Sequence, residues 1–404
     1  AALRLCVKLI LCPLINPMNI SDIRRLTPAT ENYAYFQTSG FSPKPEPVID
    51  EVVRLIRYVS QGPAVPEIAE KMNAIFEATR GKVAQSLNAH ADEIVLGENA
   101  TIGINIIANG INWQPGDNVI LSTHEHPGNR IPWYNFIKRY GVELRFLPIS
   151  DDEDQMIEEL PRLIDGRTKL LSISHVSRRT GLRLPAKEIT EVAHAQDIPV
   201  LWDGAQSYGA IPVDVQAIGC DFYAFSGHKY IMAPQGTGGC YIRRDRIEWV
   251  KPSWIGSHSQ KDFDLVGGLT LLDEAKRFEF GTRNLADQGG FAKALDLWQE
   301  IGWDNVFAAI EAYTDKLKAA LQQTPGVVLE TPLPYARSSG IVTLSLPGFT
   351  SSGIYQSLLE HERILVSPLE KDTAMIRVST HVFNTEEEIE RLVSGLRRIQ
   401  QRGY

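Results

Sequence analysis

Lys229 stands in "AFSGHKYIMAPQG" (224–236), between an apolar run and a glycine-rich turn, with Ser226, Gly227 and His228 just before it. A lysine in such a setting is costly unless it is paired or chemically used. Other polar residues also follow apolar runs: Asp203 and Gln206 in "PVLWDGAQ", and His124, Glu125 and His126 in "NVILSTHEH". His175 closes "KLLSISHV" and leads to Ser177 and Arg178. Ala100 and Thr101, in "ENATIGIN", open a helix whose first N–H groups favour an anion. A lysine that can form a Schiff base, a carboxylate for a pyridinium nitrogen, a phosphate cradle and a ring-stacking group are together what pyridoxal 5′-phosphate (PLP) requires. In that reading Lys229 holds the aldehyde and later moves protons, and Asp203 keeps the ring nitrogen protonated. Ser226 and His228 donate to the phosphate beside Ala100 and Thr101.

Each residue also has a plainer reading. Lys229 alone reads as a turn lysine, Asp203 as a helix cap, and His126 as a capping or packed histidine. Arg377 sits in a strand pattern and reads as solvent-facing, while Thr282 and Arg283 read as loop residues. His124 and His126 could ligate a metal, but no third ligand follows at a compelling spacing, so no metal site is expected. "GTGG" (236–239) precedes a strand rather than a helix, which is not a dinucleotide fingerprint.

The elements that must position these residues alternate. "NVILSTHEH" is a strand, "RIPWYNFIKRY" a helix, "VELRFLPI" a strand and 151–165 a helix. "KLLSISHV", "AKEITEVAHAQ" and "PVLWDGAQ" repeat strand, helix, strand, and "DFYAFSG" and "GGCYIRR" follow with short connections. This βαβ alternation predicts an α/β fold with a mainly parallel sheet between helices. The short last connections predict one antiparallel strand. Ligands sit beyond the carboxyl ends of such strands, where the polar residues cluster. After about 286 the pattern changes to a long helical region, 287–322, then strands near 326–330 and 340–346. Helix 351–361, strand "MIRVS" and helix 385–401 complete a smaller α+β domain. The expected domains are thus 46–285, binding the cofactor, and 286–404, with 18–45 packing on the smaller one. Residues 1–17, apolar but carrying Arg4 and Lys8, read as an upstream or non-native extension.

At the level of motifs the chain resembles the class V aminotransferase family of fold-type I PLP enzymes. That family includes cysteine desulfurases, cystine C–S lyases, kynureninases and isopenicillin N epimerases. "DGAQS" (203–207) and "SGHK" (226–229) are similar to its central signature, and "EHPGNRIPW" (125–133) to its ring-stacking segment. "FEFGTRN" (278–284) is similar to its cross-subunit phosphate segment, and "MIRVSTHVFNTEEEIERL" (375–392) to its carboxylate-binding arginine and last helix. The likeness runs from about residue 30 to the C-terminus and implies a seven-stranded sheet in the large domain. It makes Lys229 the Schiff-base lysine, Asp203 the pyridinium partner and Gln206 the partner of the phenolic oxygen. His126 stacks on the ring, Thr101, Ser226 and His228 bind phosphate, and Arg377 forks onto the substrate carboxylate. Thr282 reaches the phosphate of the other subunit, which implies a homodimer.

Persulfide-forming desulfurases need a cysteine shortly before that arginine. Here the region reads "ERILVSPLEKDTAMIRVS", and the chain has no cysteine after Cys240. The expected reaction is therefore β-elimination from a cystine- or cysteine-type amino acid, giving pyruvate, ammonia and a sulfur product without a protein persulfide. An aminotransferase or an isopenicillin N epimerase-like enzyme is the alternative. A selenocysteine lyase, a persulfide-forming desulfurase or a silent PLP-binding protein stand behind those. Arg178 is a departure, since many desulfurases have asparagine there. It could bind a second substrate carboxylate or form a surface ion pair.

The bulk numbers agree with an enzyme of small molecules. A formal charge of -8 and the lack of a Lys/Arg block argue against nucleic acid as a partner. The apolar start is too short to span a bilayer, so no membrane is expected. Four cysteines in 404 residues are too few for a disulfide framework, which points to a cytoplasmic setting.

Overall fold

The computed structural model describes residues 18–370 and 373–403; the presumed extension, 1–17, lies outside the described residues. Helices α1 (Ile20–Arg25) and α2 (Ala29–Asn32) and strand β1 (Ala34–Tyr35) lead into α3 (Glu46–Val59) and α4 (Pro66–Leu87). The large layer follows, with β2 (Ile94–Gly97), α5 (Ala100–Gly110), β3 (Asn118–Ser122), α6 (Ile131–Tyr140), β4 (Glu143–Leu147) and α7 (Glu153–Leu163). It continues through β5 (Thr168–Ser174), α8 (Ala186–His194), β6 (Val200–Asp203), α9 (Val215–Ile218), β7 (Phe222–Ser226) and β8 (Gly238–Ile242). These strands form one seven-stranded sheet in the order β2-β8-β7-β6-β5-β3-β4. Strand β8 runs antiparallel to both of its neighbours, and the other pairings are parallel.

The two faces of this sheet follow from the two-residue period of a strand. Leu171, Ile173, Trp202, Tyr223 and Phe225 point to one face and join Phe76 and Val83 of α4, Leu160 of α7 and Ile189 of α8. Leu170, Leu201, Phe222, Ala224 and Cys240 point to the other and meet Ile104 and Ile107 of α5 and Trp133 and Phe136 of α6. Both faces are apolar because both are covered, which is why these strands read as continuous apolar runs. Ser174, Asp203 and Ser226 stand where β5, β6 and β7 run out.

An antiparallel hairpin, β9 (Gln260–Phe263) and β10 (Leu269–Leu271), precedes two long helices, α10 (Leu285–Ile301) and α11 (Trp303–Gln322). The single helical region expected over 287–322 is broken at Gly302, whose φ of 89° lies where an L side chain is strained. Phe291, Leu295 and Trp298 of α10 lie in the same core as the sheet. By packing, then, this helix sits with the large layer, although it follows the boundary drawn after residue 285.

The smaller layer contains β11 (Val328–Leu329), β12 (Ile341–Ser345), α12 (Ser351–Glu362), β13 (Ile364–Leu365), β14 (Ser367–Pro368), β15 (Met375–Ser379) and α13 (Glu386–Arg402). Four of its strands pair antiparallel in the order β11-β12-β15-β14. Their apolar face packs on Leu317 and Leu321 of α11, Ile354 and Leu358 of α12, and Leu392 and Leu396 of α13. Strand β1 pairs in parallel with β13, and Ala34 and Phe36 enter the same core. The segment after α2 therefore straps the smaller layer and then crosses to the large one.

Candidate active site

The carboxyl ends of β5, β6 and β7 bring Ser174, Asp203 and Ser226 to one edge of the sheet. Ser174 is paired with Asp203 in the β5–β6 register, and Asp203 with Ala224 in the next. The chain turns sharply after Asp203: Gly204 N–H donates to Ala224 O at 2.7 Å, and Asp203 Oδ1 accepts from Ala205 N at 3.0 Å. A Cβ at Gly204 would lie 2.1 Å from Tyr223 Cε1, so only glycine fits.

After β7 the chain makes a second tight turn. Gly227 N–H donates to Thr237 O at 2.9 Å and Met232 N–H to Lys229 O at 2.9 Å. A Cβ at Gly227 would lie 2.5 Å from Thr237 Oγ1. This turn buries Lys229, 8% exposed, with its chain aimed into a cavity of about 530 Å³. Burial pushes the ammonium down to about 8, helped by Arg377 and Arg178 and opposed by Asp203. Asp203 is buried too, and that burial raises its pKa against the pull of its backbone donor and Lys229.

The same cavity is lined by Ala100, Thr101, His126, Arg178, Gln206, Ser226, His228 and Arg377. All of the residues assigned from sequence, except Thr282, thus converge. Ser226 Oγ accepts from Ala100 N at 3.0 Å and so fastens β7 to the first turn of α5. Asn99 caps that helix through Ile102 N at 3.1 Å. His126 Nδ1 accepts from Gly128 N at 2.9 Å, which places the ring proton on Nε2. The surrounding protein and then Lys229, Arg178 and Arg377 push its pKa down to about 3, so the ring is neutral. Burial, with Lys229 and Lys44, brings His228 down to about 4.

Arg377, on β15, enters from the smaller layer. Its Nη1 donates to Arg178 O at 3.1 Å and its Nη2 to Ser367 Oγ at 3.4 Å. Burial and Arg178 lower its pKa to about 10, still well above neutrality. Arg178 is half-buried, and its guanidinium has no hydrogen-bond or ion-pair partner among the described residues. Two cations therefore face one side of the cavity, with the anion-receptive helix end at another.

Thr282 lies elsewhere in its own chain. It is exposed and borders a separate polar recess with Lys276 and Arg283. Its segment is held by Glu279, a fully buried carboxylate that accepts from Arg80, Arg283 and Leu96 N. His124 and His175 also stay out of the cavity: His124 meets Ser177 Oγ at 3.0 Å, and His175 meets Tyr223 Oη at 2.9 Å. Among the described residues, no group of three or more His, Cys, Asp or Glu is arranged to hold a metal.

Sequence reasoning missed one wall and one support. Gln37, Ser39, Gly40 and Phe41 of the strap line the cavity, as do Ser367, Pro368 and Leu369. Gln206 Nε2 donates to Ser39 O at 3.0 Å, and Ser42 N donates to His228 O at 3.0 Å. "QTSGFS" (37–42) had only its small residues to mark it as a close approach. Glu125, named from sequence only as a polar residue at a strand end, is the support: its buried carboxylate accepts from Asn129 and Ser174.

The residues present fit PLP. Gln206 Oε1, His228 Nδ1 and Arg377 Nε, all on cavity residues, are buried without a hydrogen-bond partner among the described residues. Such atoms are costly unless a polar ligand meets them. With Lys229, Asp203 and the first turn of α5, they offer partners for the aldehyde, the ring nitrogen and oxygen, and the phosphate.

An α/β sheet with a buried lysine, a strand-end carboxylate and a helix-end anion cradle defines a PLP-dependent enzyme. The chain belongs to the class-V aminotransferase family, whose model matches residues 34–392. It falls in the cysteine desulfurase-like branch. A cysteine desulfurase of Pectobacterium atrosepticum is 34% identical over 385 residues, covering 91% of this chain and 93% of the relative. The cystine C–S lyase C-DES, solved with its product cysteine persulfide, is 28% identical with a TM-score of 0.84, covering 92% of this chain and 98% of its own. The cysteine desulfurase CsdA of Escherichia coli is 26% identical with a TM-score of 0.84, covering 96% and 99%. Among the described residues, no helix is long and apolar enough to cross a membrane.

Proposed function

We propose that this enzyme cleaves the carbon–sulfur bond of a cystine- or cysteine-type amino acid by β-elimination, with no persulfide carried on the protein. The observation that carries this reading is the chemistry of the cavity wall, which among the described residues contains no thiol. Cys220 and Cys240 are free but fully buried in the sheet layer, and burial raises both thiols out of the reactive range.

Bound here, PLP supplies the electron sink that acidifies the substrate's Cα–H. Asp203 would hold the ring nitrogen, and Gln206 the ring oxygen. Ala100, Thr101, Ser226 and His228 would hold the phosphate. Arg377 forks onto the α-carboxylate and orients the Cα–H toward Lys229. Lys229 Nζ, a free amine in a useful fraction near neutrality, takes that proton. His126 would cover the ring, and its Nε2–H would be available as a donor to a departing sulfur. With cystine the products balance as pyruvate, ammonia and cysteine persulfide, with one water supplying the pyruvate oxygen. Arg178 receives the second carboxylate of such a substrate. Thr282 completes the phosphate site of a second copy, so the working form is a homodimer. The two free, buried cysteines suit a reducing, cytoplasmic setting.

The test is product analysis on the PLP-loaded protein with L-cystine and L-cysteine, with Lys229→Ala as control. Pyruvate from the parent alone supports elimination. Alanine with sulfane sulfur would point to desulfuration, and sulfur-free turnover to transamination or epimerisation; either overturns the reading. With Arg178→Ala, KM for cystine rises while KM for a monocarboxylic S-alkylcysteine stays put; equal effects would remove Arg178 from the substrate site.

A further inference from the structure

Glu125 does not line the cavity, yet it is 4% exposed and every acceptor position of its carboxylate is used. Oε1 accepts from Ser122 Oγ and from Ser174 N at 2.9 Å. Oε2 accepts from Ser174 Oγ at 2.7 Å and Asn129 Nδ2 at 2.7 Å. These donors come from three places: the end of β3, the end of β5 and the single turn Pro127–Asn129. That turn begins at His126, whose carbonyl accepts from Asn129 N at 2.8 Å. Asn129 is itself tied to β5 a second time, through Ser172 O at 3.1 Å and Ser172 Oγ at 2.7 Å.

The carboxylate therefore joins the turn that carries His126 to the strand beside Asp203. Ser174 is the register partner of Asp203, and His175 N–H donates to Asp203 O at 3.0 Å. The turn has no slack on its other side, because a Cβ at Gly128 would lie 2.5 Å from Thr101 Oγ1. His126, Asp203 and Thr101 thus have their relative placement set around one buried carboxylate. A buried ionisable group is costly, and burial with the nearby Asp203 pushes this one up to about 7. Four convergent donors are what offset that cost.

We infer that Glu125 is a positioning residue that sets the pose of the His126 ring relative to Asp203, across the space the cofactor ring fills. This rests on the reading that His126 covers that ring. Glu125→Gln keeps the shape but turns an NH2 toward donors, and the backbone N–H of Ser174 cannot rotate away. The ring is left looser by a fraction of an ångström to an ångström, a displacement that costs roughly 10- to 100-fold in rate.

Three readouts on the PLP-loaded protein test it: kcat and KM, the visible circular dichroism of bound PLP, and the thermal midpoint. Glu125→Gln is expected to lower kcat roughly 10- to 100-fold at unchanged KM and to alter the dichroism. In a His126→Ala background it adds no further loss, because what it positions is gone. Ser174→Ala, which removes a single donor, moves the same quantities less and covers the case in which Glu125→Gln fails to fold. Losses that add across the two sites, or unchanged dichroism with only a lower midpoint, would overturn the inference and leave the His126 reading standing. A His126→Ala protein with unaltered dichroism and rate would overturn both.

Discussion

Asp203→Asn is expected to make the apoprotein capture PLP faster and hold it less well. Lys229 must be a free amine to attack the aldehyde, so the capture rate follows the deprotonated fraction and rises with pH until the lysine's pKa is passed. At pH 7 an ordinary lysine at 10.5 is deprotonated about once in 3,000, and one at about 8 about once in 11, a gain of roughly 300-fold. Asp203 works against this gain, since its attraction raises the lysine's pKa. Asparagine removes the attraction, so capture at pH 7 accelerates, with a ceiling of about tenfold where every lysine is already neutral. Release accelerates as well, because a charge-assisted hydrogen bond worth about 1.5–3 kcal/mol is lost from the ring nitrogen, or roughly 10- to 150-fold. Stopped-flow absorbance of apoprotein mixed with PLP, from about pH 6 to about pH 9.5, gives the first quantity. Dilution or chase gives the second. A parent midpoint near 10.5, or slower capture by Asp203→Asn with an unmoved midpoint, would refute the electrostatic argument.

Arg377→Lys replaces a buried fork by a point charge and should raise KM roughly 10- to 100-fold while PLP content stays full; steady-state kinetics on quantified holoenzyme check this. Gly204→Ala should cost about 1–3 kcal/mol in chemical denaturation and loosen PLP, because its Cβ would displace Tyr223 and the turn that aims Asp203. Glu279→Gln removes the counter-charge of Arg283 and leaves Arg80 only Glu77, and should destabilise by about 3–5 kcal/mol, while a Glu279→Leu/Arg80→Met pair should recover part of it.

What could be read ahead of the structure was local. Strands β5, β6 and β7 are apolar runs that stop at Ser174, Asp203 and Ser226, so the sheet and the edge bearing its chemistry shared one signal. Asp203 and Lys229 were legible because the first ends β6 and the second lies three residues past the end of β7. The strap wall was not, because its contact with Gln206 joins residues 167 apart and depends on β1 finding β13. The role of Glu125 was hidden for a related reason: its four donors come from three separate places in the chain, and in sequence it is one acid between two histidines. The helix break escaped because Gly302 lies in an otherwise helical pattern, and its positive φ is visible only in three dimensions. Thr282 is a different case, since its assigned partner belongs to a second copy of the chain.

The strap also sets an order of events in the cell. Ala34 and Tyr35 pair with Ile364 and Leu365, and Phe36 O accepts from Ser379 N. Their partners thus leave the ribosome some 330 residues later, about 16–70 s at ordinary elongation rates. Until then Ala34 and Phe36 have no core to enter, and one wall around Lys229 is missing. The large sheet can be complete, with lysine and carboxylate already facing each other, while the pocket still stands open. The nascent chain can therefore be competent to fold before it is competent to retain its cofactor, and the last strand made closes the site.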